Sequence, residues 1–88
     1  MSYAVEILDS ARKAIAALPK ADRGRVDARI RGLSDEPRPQ GAAPLKGTGR
    51  ALWRVRAGDY RVIYRIEDSR LVVVVVHFGH RRDVYCGL

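Results

Sequence analysis

Two stretches of alternating side chains, residues 51–57 (ALWRVRA) and 60–66 (YRVIYRI), are separated only by Gly58-Asp59. This pattern leaves few folding choices. A period of two marks extended strands with one face toward a core. A two-residue connection with glycine first fits a type II′ hairpin turn. The turn sets the register: Ala57 pairs with Tyr60, Arg56 lies opposite Arg61, Arg54 opposite Ile63, and Leu52 opposite Arg65. One face then carries Arg54, Arg56, Arg61, Ile63 and Arg65. The other carries Trp53, Val55, Tyr60, Val62, Tyr64 and Ile66, and must be the core side.

The remaining segments supply what such a hairpin packs against. Residues 3–8 (YAVEIL) partly alternate and read as a strand. Asp9 or Ser10 offers a helix N-cap, and Ala11, Ala14, Ile15 and Leu18 follow on one helical face until Pro19 ends it. A second helix starts between Pro19 and Asp22, with Val26, Ile30 and Leu33 as its apolar stripe. The two should pair as a helical hairpin. Residues 34–50 hold three prolines and three glycines and read as a loop. After the turn Glu67-Asp68-Ser69, Leu71 to Phe78 is nearly continuous apolar sequence, which suits a central strand covered on both faces. A further short extended piece is expected near Val84-Tyr85. The 88 residues predict a single α+β domain spanning 1–88, in the order β-α-α-β-β-β. The helical hairpin covers one face of a small antiparallel sheet and leaves the arginine face for solvent or a partner.

Charge singles out that face. The chain holds 14 arginines and 3 lysines against 10 acidic residues, for a net charge of +7. Residues 44–88 carry nine basic and four acidic side chains, so most of the excess lies in this half. Like charges directly opposite in a sheet oppose folding. Arg56 facing Arg61 beside Arg54 is therefore a pattern that stability alone would not select. Guanidinium forks match phosphate, so the cluster fits a polyanion. The bland alternative is that the long stems splay into water at little cost.

Other chemistries find little support. No recognised zinc spacing, Gly-rich nucleotide loop, or recognition-helix pattern is present. No cofactor is expected. The single cysteine, Cys86, allows no internal disulfide, the N-terminus lacks a signal-peptide pattern, and the longest apolar run is too short to span a bilayer. A cytoplasmic location without membrane contact is expected. The segment His77-Phe78-Gly79-His80-Arg81-Arg82-Asp83-Val84-Tyr85 follows the apolar strand and adds arginines, imidazoles and a phenol beside the hairpin. Cleavage of RNA by its own 2′-OH needs a base, cations for the nonbridging oxygens, and an acid for the leaving 5′-oxygen. Arginines serve the second need, and Tyr85 or His80 the first or third. His77, inside the apolar run, reads as a structural histidine.

At these residues the chain resembles the RelE/ParE superfamily of bacterial toxins from type II toxin–antitoxin modules, on its RelE side. The resemblance runs through the opening strand, Leu18-Pro19, Leu45-Lys46-Gly47, Trp53-Arg54-Val55-Arg56, GDYRVIY at 58–64 and HRRDVY at 80–85. It implies a ribosome-dependent endoribonuclease that cuts mRNA in the A site of the 70S ribosome without a metal ion. The implied catalytic set is Arg54, Arg56, Arg61, Arg81 and Tyr85; beside it, the basic character of Lys46, Arg50, Arg65, His80 and Arg82 marks them as expected RNA contacts. It also implies a cognate RelB-like antitoxin that covers the basic face. The ParE branch shares the fold and acts on DNA gyrase by protein interaction, with a less complete catalytic set. One departure is arginine at 54 and 56, where some members have lysine. Arginine holds its proton too firmly to exchange it, so these positions act by charge.

Overall fold

The computed structural model describes residues 2–45 and 51–80. The chain forms β1 (Ala4–Ile7), α1 (Asp9–Ala16), α2 (Lys20–Asp35), β2 (Ala43–Pro44), β3 (Leu52–Ala57), β4 (Tyr60–Glu67), a 3-10 turn (Asp68–Arg70) and β5 (Val72–His80). The strands make one five-stranded sheet in the order β1-β5-β4-β3-β2. Among the described residues no helix is long and apolar enough to cross a membrane.

The two helices lie against one face of the sheet. Ala11 and Ile15 of α1 and Val26, Ile30 and Leu33 of α2 meet Val55, Ala57, Val62, Tyr64, Val73, Val75 and Phe78 in the main core. These are the apolar stripes predicted for the helices and the inward positions predicted for the hairpin. Trp53, Tyr60 and Ile66 pack at the margin of this core and stay partly exposed.

The sheet is mixed rather than wholly antiparallel. β1 pairs in parallel with β5, with Ala4 beside Val72 and Ile7 beside Val75. The apolar β5 is an interior strand, so both of its edges need backbone partners. The hairpin strand β4 covers one edge and β1 covers the other. Alternation identifies a strand but does not name its neighbour, which here is more than sixty residues away.

Two local details also differ from the sequence expectation. Leu8 occupies the N-cap of α1 with extended dihedrals and no side-chain cap bond, while Asp9 sits in the first turn. The Leu8 N–H is already committed to the Val75 carbonyl at 3.0 Å. Strand pairing thus runs straight into the helix, and Asp9 acts through its charge at the positive helix end. The segment expected to be loop contains β2, whose Pro44 pairs with Trp53 at the sheet edge. Proline is tolerated there because that edge needs fewer donors.

The hairpin turn is as the sequence predicted. Gly58 has φ +62°, and Asp59 is not among the positive-φ residues, which fits type II′. A β-carbon on Gly58 would also lie 3.1 Å from Arg25 Nη1. Gly58→Val should lower unfolding free energy by about 2 kcal/mol, because a β-branched residue is strained at this φ. Urea denaturation checks this, and a variant as stable as the parent would contradict it.

Candidate functional site

The hairpin pairs as predicted, with Arg56 opposite Arg61, Arg54 opposite Ile63 and Leu52 opposite Arg65. Paired residues share a face, so Arg54, Arg56 and Arg61 come together on the side away from the helices. Their surroundings are spare. Ala43 of β2 lies beside Arg54, and Gly79 of β5 lies beside Arg61. The Arg56–Arg61 row therefore has no side chain beside it on β5. Arg54 and Arg61 are half-buried and Arg56 is exposed. The Arg61 Nε and Nη1 are shielded from water.

The floor between these arginines is apolar. Leu52 and Ile63 form a second small core on this face, with Leu45 and Val76 packed against it. Ile63 is 0% exposed. Bordering charges on such a floor act through a lower dielectric than charges standing in water.

The ion-paired carboxylates of the described residues lie elsewhere. Among the described residues the ion pairs are Arg38–Asp68 at 2.9 Å, Arg70–Glu67 at 2.9 Å and Arg65–Glu67 at 3.3 Å. All three lie at the end of β4 remote from the turn. Hydrogen bonds from Arg70 hold the Glu67 carboxyl below its usual range, and Arg38 then Tyr3 do the same for Asp68. Both acids thus stay ionised and locally neutralised. Arg54 and Arg56 have no carboxylate partner among the described residues. Arg65 shares their face but is engaged by Glu67, which separates it from the cluster.

The helix side braces the hairpin. Arg29 donates from Nε to the Arg56 carbonyl at 3.3 Å and from Nη2 to the Gln40 carbonyl at 3.2 Å. It ties α2 to the end of β3 and to the loop before β2. Sequence reasoning missed this residue. The available signal was the spacing of Arg25 and Arg29, which places both on one face of α2.

The two histidines fall on opposite faces. β5 carries an irregularity: Ile63 pairs with His77 while Tyr64 pairs with Val75, leaving Val76 as an extra residue. In such a bulge two successive residues oppose one partner. Val76 packs on the outer apolar floor, and His77 is registered with Ile63 on the same face. Phe78 returns to the main core. His80 pairs with Tyr60 on the helix side, its ring edge-on to Tyr60 at 6.0 Å. Tyr60 in turn stacks on Phe78 at 5.4 Å. Burial, then Asp22, raises the Tyr60 hydroxyl's pKa, so this phenol keeps its proton. The structure thus separates His80, expected at the RNA surface, from Arg54, Arg56 and Arg61, and brings His77 to their face instead. Lys46, Arg50, Arg81, Arg82 and Tyr85 lie outside the described residues, as does the extended piece expected at Val84-Tyr85.

Comparison with known proteins agrees with this architecture. Residues 3–85 match the family model described as the ParE toxin of the type II toxin–antitoxin system parDE. Toxin RelG of Mycobacterium tuberculosis is 34% identical over 86 residues, covering 97% of this chain and 98% of its own length. The archaeal RelE–RelB complex from Pyrococcus horikoshii contains a chain 35% identical to this one, with a TM-score of 0.81 and coverage of 96% and 100%. The toxin–antitoxin complex RelBE2 from Mycobacterium tuberculosis gives 32% identity, a TM-score of 0.82 and coverage of 94% and 95%. The arginine-faced hairpin under its two-helix cover belongs to a member of the RelE/ParE toxin superfamily, in which RelE-type toxins are among its similar relatives.

Proposed function

We propose that this chain is a metal-independent endoribonuclease toxin that cuts mRNA in the ribosomal A site and is held inactive by a RelB-like antitoxin. The observation that carries the reading is the clustering of Arg54, Arg56 and Arg61 on one face, over an apolar floor. Three guanidinium groups converging on a scissile phosphate would stabilise the charge that grows on its nonbridging oxygens. The attacking group is the neighbouring 2′-OH, so the products are a 2′,3′-cyclic phosphate and a 5′-OH end. Arg81 and Tyr85 join the site by family resemblance, Arg81 toward the leaving group and Tyr85 toward the 2′-OH or the base. Lys46, Arg50 and Arg82 extend the RNA contact. Two similar structures, the archaeal RelE–RelB complex and the RelBE2 complex, are toxin–antitoxin complexes. A net charge of +7 gives an acidic segment of such a partner a surface to neutralise.

The test is to add the purified protein to a reconstituted translation system and map mRNA ends by primer extension. Cuts within A-site codons that vanish in Arg81→Ala support the reading. Intact mRNA together with gyrase-linked DNA breaks would instead favour gyrase inhibition, the activity that the ParE name of the matching family model suggests.

Binding gives a separate prediction. Three phosphate contacts on single-stranded RNA give a slope of log K against log salt of about −2. Arg56→Ala should reduce that slope by about 0.7. Fluorescence anisotropy across a salt series measures it, and an unchanged slope would remove Arg56 from the RNA contact.

A further inference from the structure

The trio of arginines leaves one chemical task undone. A guanidinium does not give up its proton in proteins, so it cannot take one from a 2′-OH. Among the described residues of this face, His77 is the side chain whose type ordinarily changes charge near neutrality.

Its position is a product of the fold. Regular alternation through β5 from the inward Val75 would place residue 77 in the core. The extra residue Val76 breaks that alternation and sets His77 opposite Ile63 on the arginine face. Arg54 lies on the other side of Ile63. Arg54 and His77 therefore flank the buried Ile63, about 10 Å apart across two strand spacings. The Arg56–Arg61 row is next along the sheet. His77 is half-buried, its backbone paired with Ile63, and its ring makes none of the side-chain hydrogen bonds seen among the described residues.

Among the described residues the charges nearest along the sheet are arginines, and β1 adds one carboxylate on this face, Glu6 beside Val74. β3 contributes Arg54 and Arg56, and β4 contributes Arg61, with Arg65 beyond and engaged by Glu67. β2 offers only Ala43 in this row. Helix α1 meets β5 on the opposite face through Ala11 and Ile15, which leaves its Asp9, Arg12 and Lys13 on the helix side.

We infer that His77 is a catalytic proton acceptor on this face, taking the 2′-OH proton of the nucleotide whose phosphate the three arginines hold. This rests on the RNA-cleavage reading above. In the step, an unprotonated imidazole nitrogen removes the 2′ proton and O2′ forms a bond to phosphorus. The P–O5′ bond breaks, and the departing 5′-oxygen takes a proton from water. The imidazolium then returns its proton to solvent. The apolar floor of Leu52, Ile63 and Val76 underlies the sugar.

Single-turnover cleavage on mRNA-programmed ribosomes tests this between about pH 5.5 and 8. The wild type should lose rate at the acid end along a one-proton limb. His77→Gln should cleave about 10²-fold more slowly at neutral pH, without that limb, and bind single-stranded RNA as before. His77→Ala should regain rate on addition of free imidazole. Thermal melting of both variants checks that the fold is kept. His77→Gln with wild-type rate and pH profile overturns the inference alone, as does a loss of rate matched by lost RNA affinity and not rescued by imidazole. Wild-type protein that leaves mRNA intact overturns the cleavage reading, and this inference with it.

Discussion

Arg61→Ala should lower the rate of mRNA cleavage on programmed ribosomes by about 10²–10³-fold. Arg61 stands on β4 between Arg56 of β3 and the bare Gly79 of β5. Part of its guanidinium is shielded from water. A charge held in such a place is already oriented and is weakly screened, so it stabilises a growing oxyanion more than an exposed arginine does. Arg61→Lys should recover only part of the rate, because an ammonium cannot make two parallel contacts with one phosphate. A cleavage rate for Arg61→Ala within about threefold of the parent would show that this face does not hold the scissile phosphate.

Arg56 separates function from folding. It is exposed and faces a like charge. Arg56→Thr should leave stability unchanged or raise it by up to about 1 kcal/mol, since it removes the repulsion and suits a strand. RNA cleavage should still fall. A variant both more stable and less active is the signature expected of a residue kept for its ligand. If Arg56→Thr lost stability instead, the pairing of Arg56 with Arg61 would have to be a favourable one.

The parts of this site that are legible in sequence are those governed by local geometry. A two-residue turn leaves one register, so the pairings of Arg54, Arg56 and Arg61 follow from the residues alone. The helix stripes are legible for the same reason, because Val26, Ile30 and Leu33 recur at helical spacing. The apolar run of β5 is not legible in this way. Five successive valines have no alternation, so nothing in them marks the extra residue at Val76 or says which histidine turns outward. The parallel pairing of β1 is hidden because it is decided by the free edge of β5 and not by any property of residues 4–7. Arg65 could have been demoted from the sequence. Glu67 is two residues on, hence on the same face of the strand, and neutralises it.

Tyr64 carries the other large effect, on stability. Its side chain is 0% exposed at the centre of the main core, and its hydroxyl donates to the Pro37 carbonyl at 2.7 Å. Tyr64→Ala should cost about 3–5 kcal/mol through the cavity it leaves, a large part of the stability of a domain this small. Tyr64→Phe keeps the ring but strands the carbonyl, at a cost of about 1–2 kcal/mol. Burial pushes the Tyr64 phenol up to about 12. An unfolded tyrosine titrates near 10, so the folded state resists ionisation that the unfolded state accepts. The resulting stabilisation is fully present below about pH 10 and is lost as pH rises toward 12, with a ceiling of about 2–3 kcal/mol. Urea denaturation of the parent and of Tyr64→Phe at several alkaline pH values isolates this contribution, because the other titrating groups cancel in the difference. The gap between the two proteins should shrink as pH rises above 10. A gap that stays constant would mean that Tyr64 ionises in the folded protein as readily as in the unfolded chain. The loop held by Pro37 runs on through Gln40, which Arg29 grips, to β2 beside Arg54. Tyr64→Phe should therefore loosen the flank of the arginine face, while cleavage by the fraction that remains folded stays close to that of the parent.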